Sequence, residues 1–258
     1  MNGNLPRKKS VLSVLLLLAI YLSSSAHGGP ILATHVGKTD PKTEGWKLFN
    51  ATGGSVSGGT EDTPSGTHDY WEVSHPSVYL QGNYYRYFLD SADLDTDWRF
   101  SGSIRVVDSK PHYWKWGVPF GLFIVRDDES TWGLFLGNNV IGVLDSSISF
   151  SHSFSMNTQD DYHLYDVLFH RNGPGSADDT MDVLVDGNLI FNDVTRSEVQ
   201  DISSYSGSLR GAWLGSGSSG AYTVMRYGNV ALSVIPEPAT FTLLSLGLGV
   251  LAYRRNRS

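Results

Sequence analysis

The chain has 258 residues, with 19 lysines and arginines against 26 aspartates and glutamates, and it contains no cysteine. The missing cysteines exclude a disulfide framework and thiol chemistry. The acidic balance argues against nucleic acid and anionic membrane surfaces as partners, because both require a positive face. Outside the two terminal segments, no window sustains the i, i+3, i+4 apolar spacing of a helix. The composition therefore predicts an all-β protein.

The first segment, residues 1–26, has the three parts of a secretory signal peptide. Basic residues at Arg7–Lys9 precede an apolar run from Val11 to Leu22, and small residues ending at Ala26 follow. A basic start, an apolar centre and a small-residue cleavage site together mark a chain for export. We therefore expect an N-terminal signal helix and cleavage after Ala26.

The next segment, residues 27–77, is rich in Gly, Ser and Thr, with ATGGSVSGGTEDTPSG at its centre. Such a composition is typical of surface loops. We expect a flexible N-terminal arm here, interrupted by an isolated first strand at Trp46–Phe49.

From residue 78 to residue 234, short segments alternate apolar and polar residues. The clearest example is the stretch 97–108, in which apolar residues or glycine at the even positions 98 to 106 alternate with arginine and serine at positions 99, 101, 103 and 105. About a dozen such strands are separated by turn signals, among them Asn138-Asn139 and Asp186-Gly187. This spacing predicts a two-sheet antiparallel sandwich, with one buried and one wet face on each sheet. We expect the tyrosines within 84–87 to serve cross-strand packing.

One block of the sequence indicates which kind of β-sandwich the chain forms. Residues 160–193 contain the pattern Y-H-x-Y-x-V followed by D-V-x-V-D-G, which resembles the middle of laminin-G-like and concanavalin A-like jelly-roll domains. The closing stretches WLGSGSSG and YGNVALSV resemble the last strands of the same superfamily. The resemblance implies a concanavalin A-like jelly roll, and a fold alone indicates no function.

The last segment, residues 235–258, joins a Pro236-Glu237-Pro238 triplet, an apolar run from Phe241 to Tyr253, and basic residues at Arg254 and Arg255. The run is about 20 Å long as a helix, whereas a stable membrane span needs about 20 residues. Arginines behind an apolar run stay on the cytoplasmic side, and the prolines keep the preceding stretch extended. We expect a short hydrophobic helix that is a transient inner-membrane anchor.

These three parts, in this order, resemble the PEP-CTERM sorting signal of Gram-negative bacteria that make exopolysaccharide. The residues that match the signal are Pro236, Glu237, Pro238, Arg254 and Arg255. The resemblance implies processing near the triplet by the membrane enzyme exosortase, and delivery to the cell surface or extracellular matrix. Without both terminal segments the body has 13 basic and 25 acidic residues, so it is more acidic than the whole chain.

No set of residues in the sequence forms a catalytic constellation. The glutamates lack the Glu-x-Asp-x-x-Glu arrangement of jelly-roll glucanases, and no Gly-x-Ser-x-Gly elbow occurs. We therefore expect a protein without enzyme activity and without a cofactor. Calcium alone is left open, because carboxylate oxygens are its usual ligands. The candidate ligands for it are Asp127, Asp128, Asp178 and Asp179.

Carbohydrate binding is the activity that the sequence favours. Tyr113, Trp114 and Trp116 crowd the stretch KPHYWKWGVP between two predicted strands. Their rings can stack on sugar faces while the indole N–H groups reach hydroxyls; a loop pinned to the core by its own tryptophans also explains them. We expect an exported, non-catalytic sandwich that associates with extracellular polysaccharide. The alternatives are a structural matrix or biofilm protein without sugar affinity and a divergent polysaccharide hydrolase or lyase.

Overall fold

The computed structural model describes residues 29–49, 53–76, 82–110, 121–172, 176–204, 209–216 and 222–236. This part of the chain is almost entirely β-strand, with one helical turn, α1 (Ser91–Leu94), and three short 3₁₀ turns at Pro41–Glu44, Ser176–Asp178 and Arg196–Glu198. The strands are, in chain order, β1 (Ile31–His35), β2 (Lys47–Phe49), β3 (Ser55–Thr63), β4 (Gly66–Pro76), β5 (Asn83–Phe88), β6 (Trp98–Lys110), β7 (Gly121–Arg126), β8 (Ser130–Gly137), β9 (Val140–Leu144), β10 (Phe150–Ser155), β11 (His163–His170), β12 (Thr180–Val185), β13 (Asn188–Thr195), β14 (Gln200–Asp201), β15 (Gly211–Ser216) and β16 (Tyr222–Val234).

The strands form two eight-stranded antiparallel sheets that pack as a sandwich. Sheet A has the order β13-β12-β11-β6-β16-β4-β3, and β1 pairs with the end of β16. Sheet B has the order β10-β9-β8-β7-β15-β5-β2, and β14 pairs with β8. The predicted all-β, two-sheet antiparallel sandwich is therefore confirmed.

Strand β6 shows how the sequence alternation becomes the core. From Trp98 to Val106 its even-numbered residues are buried, and its odd-numbered residues up to position 107 face outward, as predicted. Trp98 stacks on Phe169 within sheet A, with 4.9 Å between ring centroids. Phe100 stacks on Phe123 of sheet B at 4.1 Å, so this pair joins the two sheets. Truncating a buried ring of this size to alanine typically costs about 3–5 kcal/mol.

Both predicted hairpin turns are present. Asp186 and Gly187 have φ angles of 51° and 78° between β12 and β13, as a type I′ turn requires. Asn138 and Asn139 form the turn between β8 and β9.

The expected flexible arm at 27–77 is wrong for the residues that the structure describes in this range. β3 and β4 form a long hairpin that runs in register from Ser55–Ser74 to Thr63–Gly66. β4 also pairs with β16, and its Val73 is fully buried. The composition misleads because β3 is an edge strand with few buried side chains, so its sequence lacks apolar alternation. The predicted strand at Trp46–Phe49 is present as β2, but it is paired with β5 instead of isolated.

The sandwich, Ile31–Ser233, is a compact unit of its own. In the second unit the described residues are 29–30 and 234–236, where the Val234 N–H donates to the Pro30 carbonyl at 3.0 Å. The expected signal helix and C-terminal hydrophobic helix lie outside the described residues. Within the described ranges, no helix combines the length and the apolar character needed to cross a membrane.

Candidate functional site

Most residues that the sequence singled out lie outside the described part of the chain. They are Ala26, Tyr113, Trp114, Trp116, Glu237, Pro238, Arg254 and Arg255. Pro236 is described, and it lies partly exposed in irregular backbone just after β16.

Two of the four calcium candidates come together, around an arginine. Arg196 Nη2 lies 3.1 Å from Asp127 Oδ2 and 3.1 Å from Asp179 Oδ2. Its Nη1 lies 3.1 Å from a carboxylate oxygen of Glu129, and its guanidinium lies 5.2 Å from the ring centroid of Trp132. We call these residues the Arg196 cluster. A calcium ion between Asp127 and Asp179 would compete with this guanidinium for the same oxygens.

The other two calcium candidates lie apart from this cluster. Asp128 forms an ion pair with Arg210. Asp178 is exposed, and its backbone carbonyl accepts a hydrogen bond from Asn172 Nδ2 at 2.8 Å. Among the described residues, no three His, Cys, Asp or Glu side chains are grouped so as to hold a metal ion.

The outer face of sheet B carries a contiguous set of aromatic rings. Tyr84 and Phe88 point outward from β5, while Tyr85 between them is buried in the core. Tyr84 stacks on Phe49 of β2, with 5.1 Å between centroids, and packs against Trp213 of β15 at 4.7 Å. We call Phe49, Tyr84, Phe88 and Trp213 the aromatic strip. It crosses three neighbouring strands, β15, β5 and β2.

Three cationic side chains lie against the aromatic strip. The Arg86 guanidinium is 4.2 Å from the centroid of Phe88, and that of Arg126 is 4.6 Å from the centroid of Trp213. Lys47 Nζ lies 5.5 Å from the centroid of Phe49. All three distances fall within the range of cation–π attraction. Burial raises the pKa of the Tyr84 hydroxyl, and the neighbouring Arg126 and Arg86 partly offset that rise.

Glycines and backbone contacts fix the position of Trp213. Its indole Nε1 donates to the Leu209 carbonyl at 3.3 Å. Gly211, two residues before Trp213, has a φ of 149°, and a Cβ there would lie 2.2 Å from the Tyr87 carbonyl oxygen. Arg86 is also held at this end of β15, because its Nε and Nη2 donate to the Arg210 carbonyl at 3.1 and 2.7 Å.

The outer face of sheet B is closed at one side and open at the other. Toward β10, the side chains of Leu122, Ile124, Phe135 and Leu144 form a second buried cluster with Trp213, against which Ile148, Phe150 and Leu209 pack. Toward β2, Phe88 is 50% exposed, and Phe49 and Tyr84 are partly exposed. The open half of the face is therefore formed by Phe49, Tyr84 and Phe88, whereas Trp213, the fourth ring of the aromatic strip, is buried.

The outer face of sheet A has a different chemistry. There Glu61 accepts from Arg105 Nη1 at 2.6 Å, from Arg226, and from the Tyr162 hydroxyl at 2.7 Å. Arg226 also donates to Glu72 at 2.9 Å. Two arginines and two glutamates thus neutralise one another, and they connect the β3–β4 hairpin to β6, β16 and the loop before β11.

An open cleft of about 620 Å³ lies beside this network. Its lining includes the ion pair between Lys38 and Asp69, together with His68, Ser103 and Asn229. Among the described residues that line the cleft, the imidazole of His68 is the sole aromatic ring. Polar groups and one imidazole offer a ligand hydrogen bonds but little stacking surface.

The sequence prediction assigned the tyrosines of 84–87 to packing and missed the aromatic strip. A signal was present, because Tyr84, Arg86 and Phe88 alternate with residues of the core and therefore share one outward face. No such alternation in the sequence points to Phe49 of β2 or Trp213 of β15, because only strand pairing brings these two rings beside Tyr84.

The C-terminal residues match a known family model. The model of the PEP-CTERM protein-sorting motif aligns with residues 234–258. The tail is a PEP-CTERM sorting motif. This confirms the resemblance of the triplet, apolar run and arginines, and it indicates an exported protein that is transiently anchored in the membrane before processing. The PEP-CTERM motif also implies that an exosortase processes the chain.

Solved structures resemble the fold of the chain only distantly. A protein of unknown function from Shewanella oneidensis MR-1 has a TM-score of 0.47 at 7% identity, over 92% of this chain and 98% of that one. The endo-β-1,4-glucuronan lyase of the fungus Trichoderma reesei has a TM-score of 0.46 at 10% identity, over 80% and 96%. An alginate lyase in complex with an alginate tetrasaccharide has a TM-score of 0.43 at 8% identity, over 80% and 98%. Likenesses at this level indicate no shared activity. No curated protein matches the chain.

Proposed function

We propose that this protein is processed by exosortase, reaches the cell surface or extracellular matrix, and associates there with polysaccharide through the aromatic strip without altering it chemically. The observation that carries the proposal is the strip itself, in a chain whose sorting motif indicates export. A concanavalin A-like jelly roll is the fold we propose for the sandwich, on the basis of the two opposed seven-strand paths.

The physical basis of the proposed binding is ring stacking. One face of many pyranose sugars presents C–H groups, and an aromatic ring covers that face while leaving the hydroxyls in contact with water. Phe88 is half exposed, so a ligand can reach its ring without a change in the backbone. Phe49 and Tyr84 are partly exposed and extend the stacking surface beside Phe88, and the buried Trp213 packs against Tyr84 and holds its ring in place.

We propose a protein without catalytic activity because the reactive side chains on the outer face of sheet A are bonded to one another. The Tyr162 hydroxyl donates to Glu61, and burial together with this bond raises the pKa of Tyr162. Tyr162 is therefore protonated at neutral pH and is a poor general base. The guanidinium groups beside it donate to Glu61 and Glu72, so their charge is balanced by carboxylates of the protein.

The test is binding of the full chain, in mild detergent, to polysaccharide extracted from the host matrix, measured by affinity electrophoresis. We expect Phe88→Ala to weaken binding at least about tenfold, equivalent to about 1.4 kcal/mol, and Phe88→Tyr to retain it because a ring remains. Leu189→Ala is the matched control, since Leu189 is 54% exposed on a strand of sheet A. Equal binding by Phe88→Ala and the parent chain would overturn the assignment of the strip. A parent chain that binds no polysaccharide would favour the structural matrix protein.

A further inference from the structure

We infer that the polysaccharide held by the aromatic strip is anionic, with carboxylate groups on its sugars; this inference rests on the proposed function. The geometry that supports it is the separation of charge between the two sheets, together with the position of three cations beside the stacking rings.

The strands of sheet B differ from those of sheet A in their acidic residues. The seven strands along the path of sheet B contain Lys47, Arg86 and Arg126 but no Asp or Glu. The short strand β14, beside β8, adds only Asp201. The strands of sheet A contain Glu61, Asp62, Asp69, Glu72, Asp108, Asp166, Asp182 and Asp193. The acidic excess of the strands is therefore concentrated in sheet A.

Distance and salt screening keep that acidic charge from dominating at the aromatic strip. Packed sheets lie about 10 Å apart, and the outward side chains of sheet A extend further from sheet B. At physiological ionic strength the screening length is about 8 Å. A ligand on the outer face of sheet B therefore experiences mainly the local charge. At the β7–β8 end of the strip, three acidic residues are each paired with an arginine: Asp128 with Arg210, and Asp127 and Glu129 with Arg196.

Lys47 and Arg126 lie where a stacked acidic sugar would place its carboxylate, whereas Arg86 is only 7% exposed and adds positive charge without contacting the ligand. Lys47 is exposed on the edge strand β2, and its Nζ lies within 6 Å of the centroids of both Phe49 and Phe88. Arg126 is partly exposed, and its Nε donates to Thr131 Oγ1 at 3.2 Å, which orients the guanidinium. One sugar unit can therefore contact a ring with its apolar face and a cation with its acidic group. The offset that Arg126 and Arg86 produce in the pKa of Tyr84 agrees with a positive potential at this surface.

The test compares polysaccharides that share a backbone and differ in whether their carboxylates are free or esterified. The full chain, in mild detergent, is run in affinity gels that contain polygalacturonate or its methyl ester, and alginate or its propylene glycol ester. We expect at least tenfold tighter binding to the acidic member of a pair, and weaker binding to it at 0.3 M than at 0.05 M salt, because salt screens the cations. We expect Lys47→Gln to weaken binding to the acidic member at least threefold and to weaken binding to the ester by less, because only the acidic member loses an ion pair. Lys42→Gln is the matched control. Lys42 is also an exposed lysine, but it lies outside the aromatic strip and pairs with Asp40.

The outcomes separate this inference from the proposed function. Equal or tighter binding to the esters, with no effect of Lys47→Gln, would overturn the anionic ligand and leave polysaccharide binding intact. Binding to neither member of either pair, nor to polysaccharide from the host matrix, would overturn both. Acid-selective binding that Phe88→Ala does not weaken would place the anion site elsewhere on the protein and overturn the inference.

Discussion

Replacing Arg196 with alanine should destabilise the sandwich through the buried carboxylate that it neutralises. The Asp179 side chain is 0% exposed, and Arg196 is one of its two guanidinium partners. Removing one partner of a buried ion pair typically costs about 3–5 kcal/mol. Asp179 retains Arg171 Nη1 at 3.0 Å and the Asn172 N–H at 3.1 Å, which reduces the expected loss to about 2–3 kcal/mol. The exposed Glu129 adds little, because surface pairs contribute about 0–1 kcal/mol.

Urea denaturation followed by tryptophan fluorescence measures this loss, and Trp132 lies against the Arg196 guanidinium. For a domain of this size the expected fall in Tm is about 4–12 °C. Lys38→Ala is the control, since Lys38 and Asp69 are both highly exposed and water and salt screen their pair, so its loss should leave the urea midpoint nearly unchanged. In the double variant Arg196→Ala/Asp179→Asn, part of the loss should be recovered, because no charge is then left buried with one partner. If Arg196→Ala unfolds at the same urea concentration as Lys38→Ala, the Arg196 cluster does not stabilise the fold and the reasoning fails.

Two further predictions concern backbone geometry and pH. Gly211→Ala should lower the free energy of unfolding by at least about 2 kcal/mol, because φ is 149° and the added Cβ would lie 2.2 Å from the Tyr87 carbonyl oxygen; an unchanged urea midpoint would contradict this. Burial lowers the pKa of His163, but its hydrogen bonds to Asp186 and Asp160 outweigh burial and raise that pKa overall. Because the pKa of His163 is higher in the folded than in the unfolded protein, protonation of His163 stabilises the fold. This stabilisation is complete below the unfolded pKa of about 6.5 and is lost as the pH rises through the folded pKa. Urea midpoints should therefore fall above about pH 6.5 in the parent chain and less so in His163→Gln, and identical pH profiles would refute this role.

The parts of the fold that the sequence predicted correctly are those encoded by neighbouring residues. The alternation in β6 needs only the two-residue period of a strand, and the Asp186-Gly187 turn needs only two residues that accept positive φ. The sequence predicts a flexible arm where β3 and β4 form a hairpin. The prediction fails because β4 joins the sheet by pairing with β16, which is far away in the chain. Arg226, for example, lies opposite Glu72 although they are 154 positions apart in the chain.

The candidate site was harder to predict for the same reason. Three strands from distant parts of the chain contribute the rings of the aromatic strip, and no local pattern links Phe49 or Trp213 to Tyr84. The Arg196 cluster is similar, since Arg196 and Asp127 are 69 positions apart. Two of the predicted calcium carboxylates, Asp127 and Asp179, lie together, but no local pattern indicates that Arg196 lies between them.

Strand β16 has a consequence for when this protein can fold. It lies between β6 and β4, also pairs with β1, and ends at Val234, immediately before the sorting tail. Sheet A therefore lacks a central strand until the chain has been exported as far as Val234, and the strands exported before β16 have unpaired edges until then. Completion of the domain coincides with arrival of the hydrophobic tail in the bilayer. An exosortase that cleaved only after β16 had joined sheet A would release folded molecules. The time that the tail spends in the membrane would then be the time in which the domain folds.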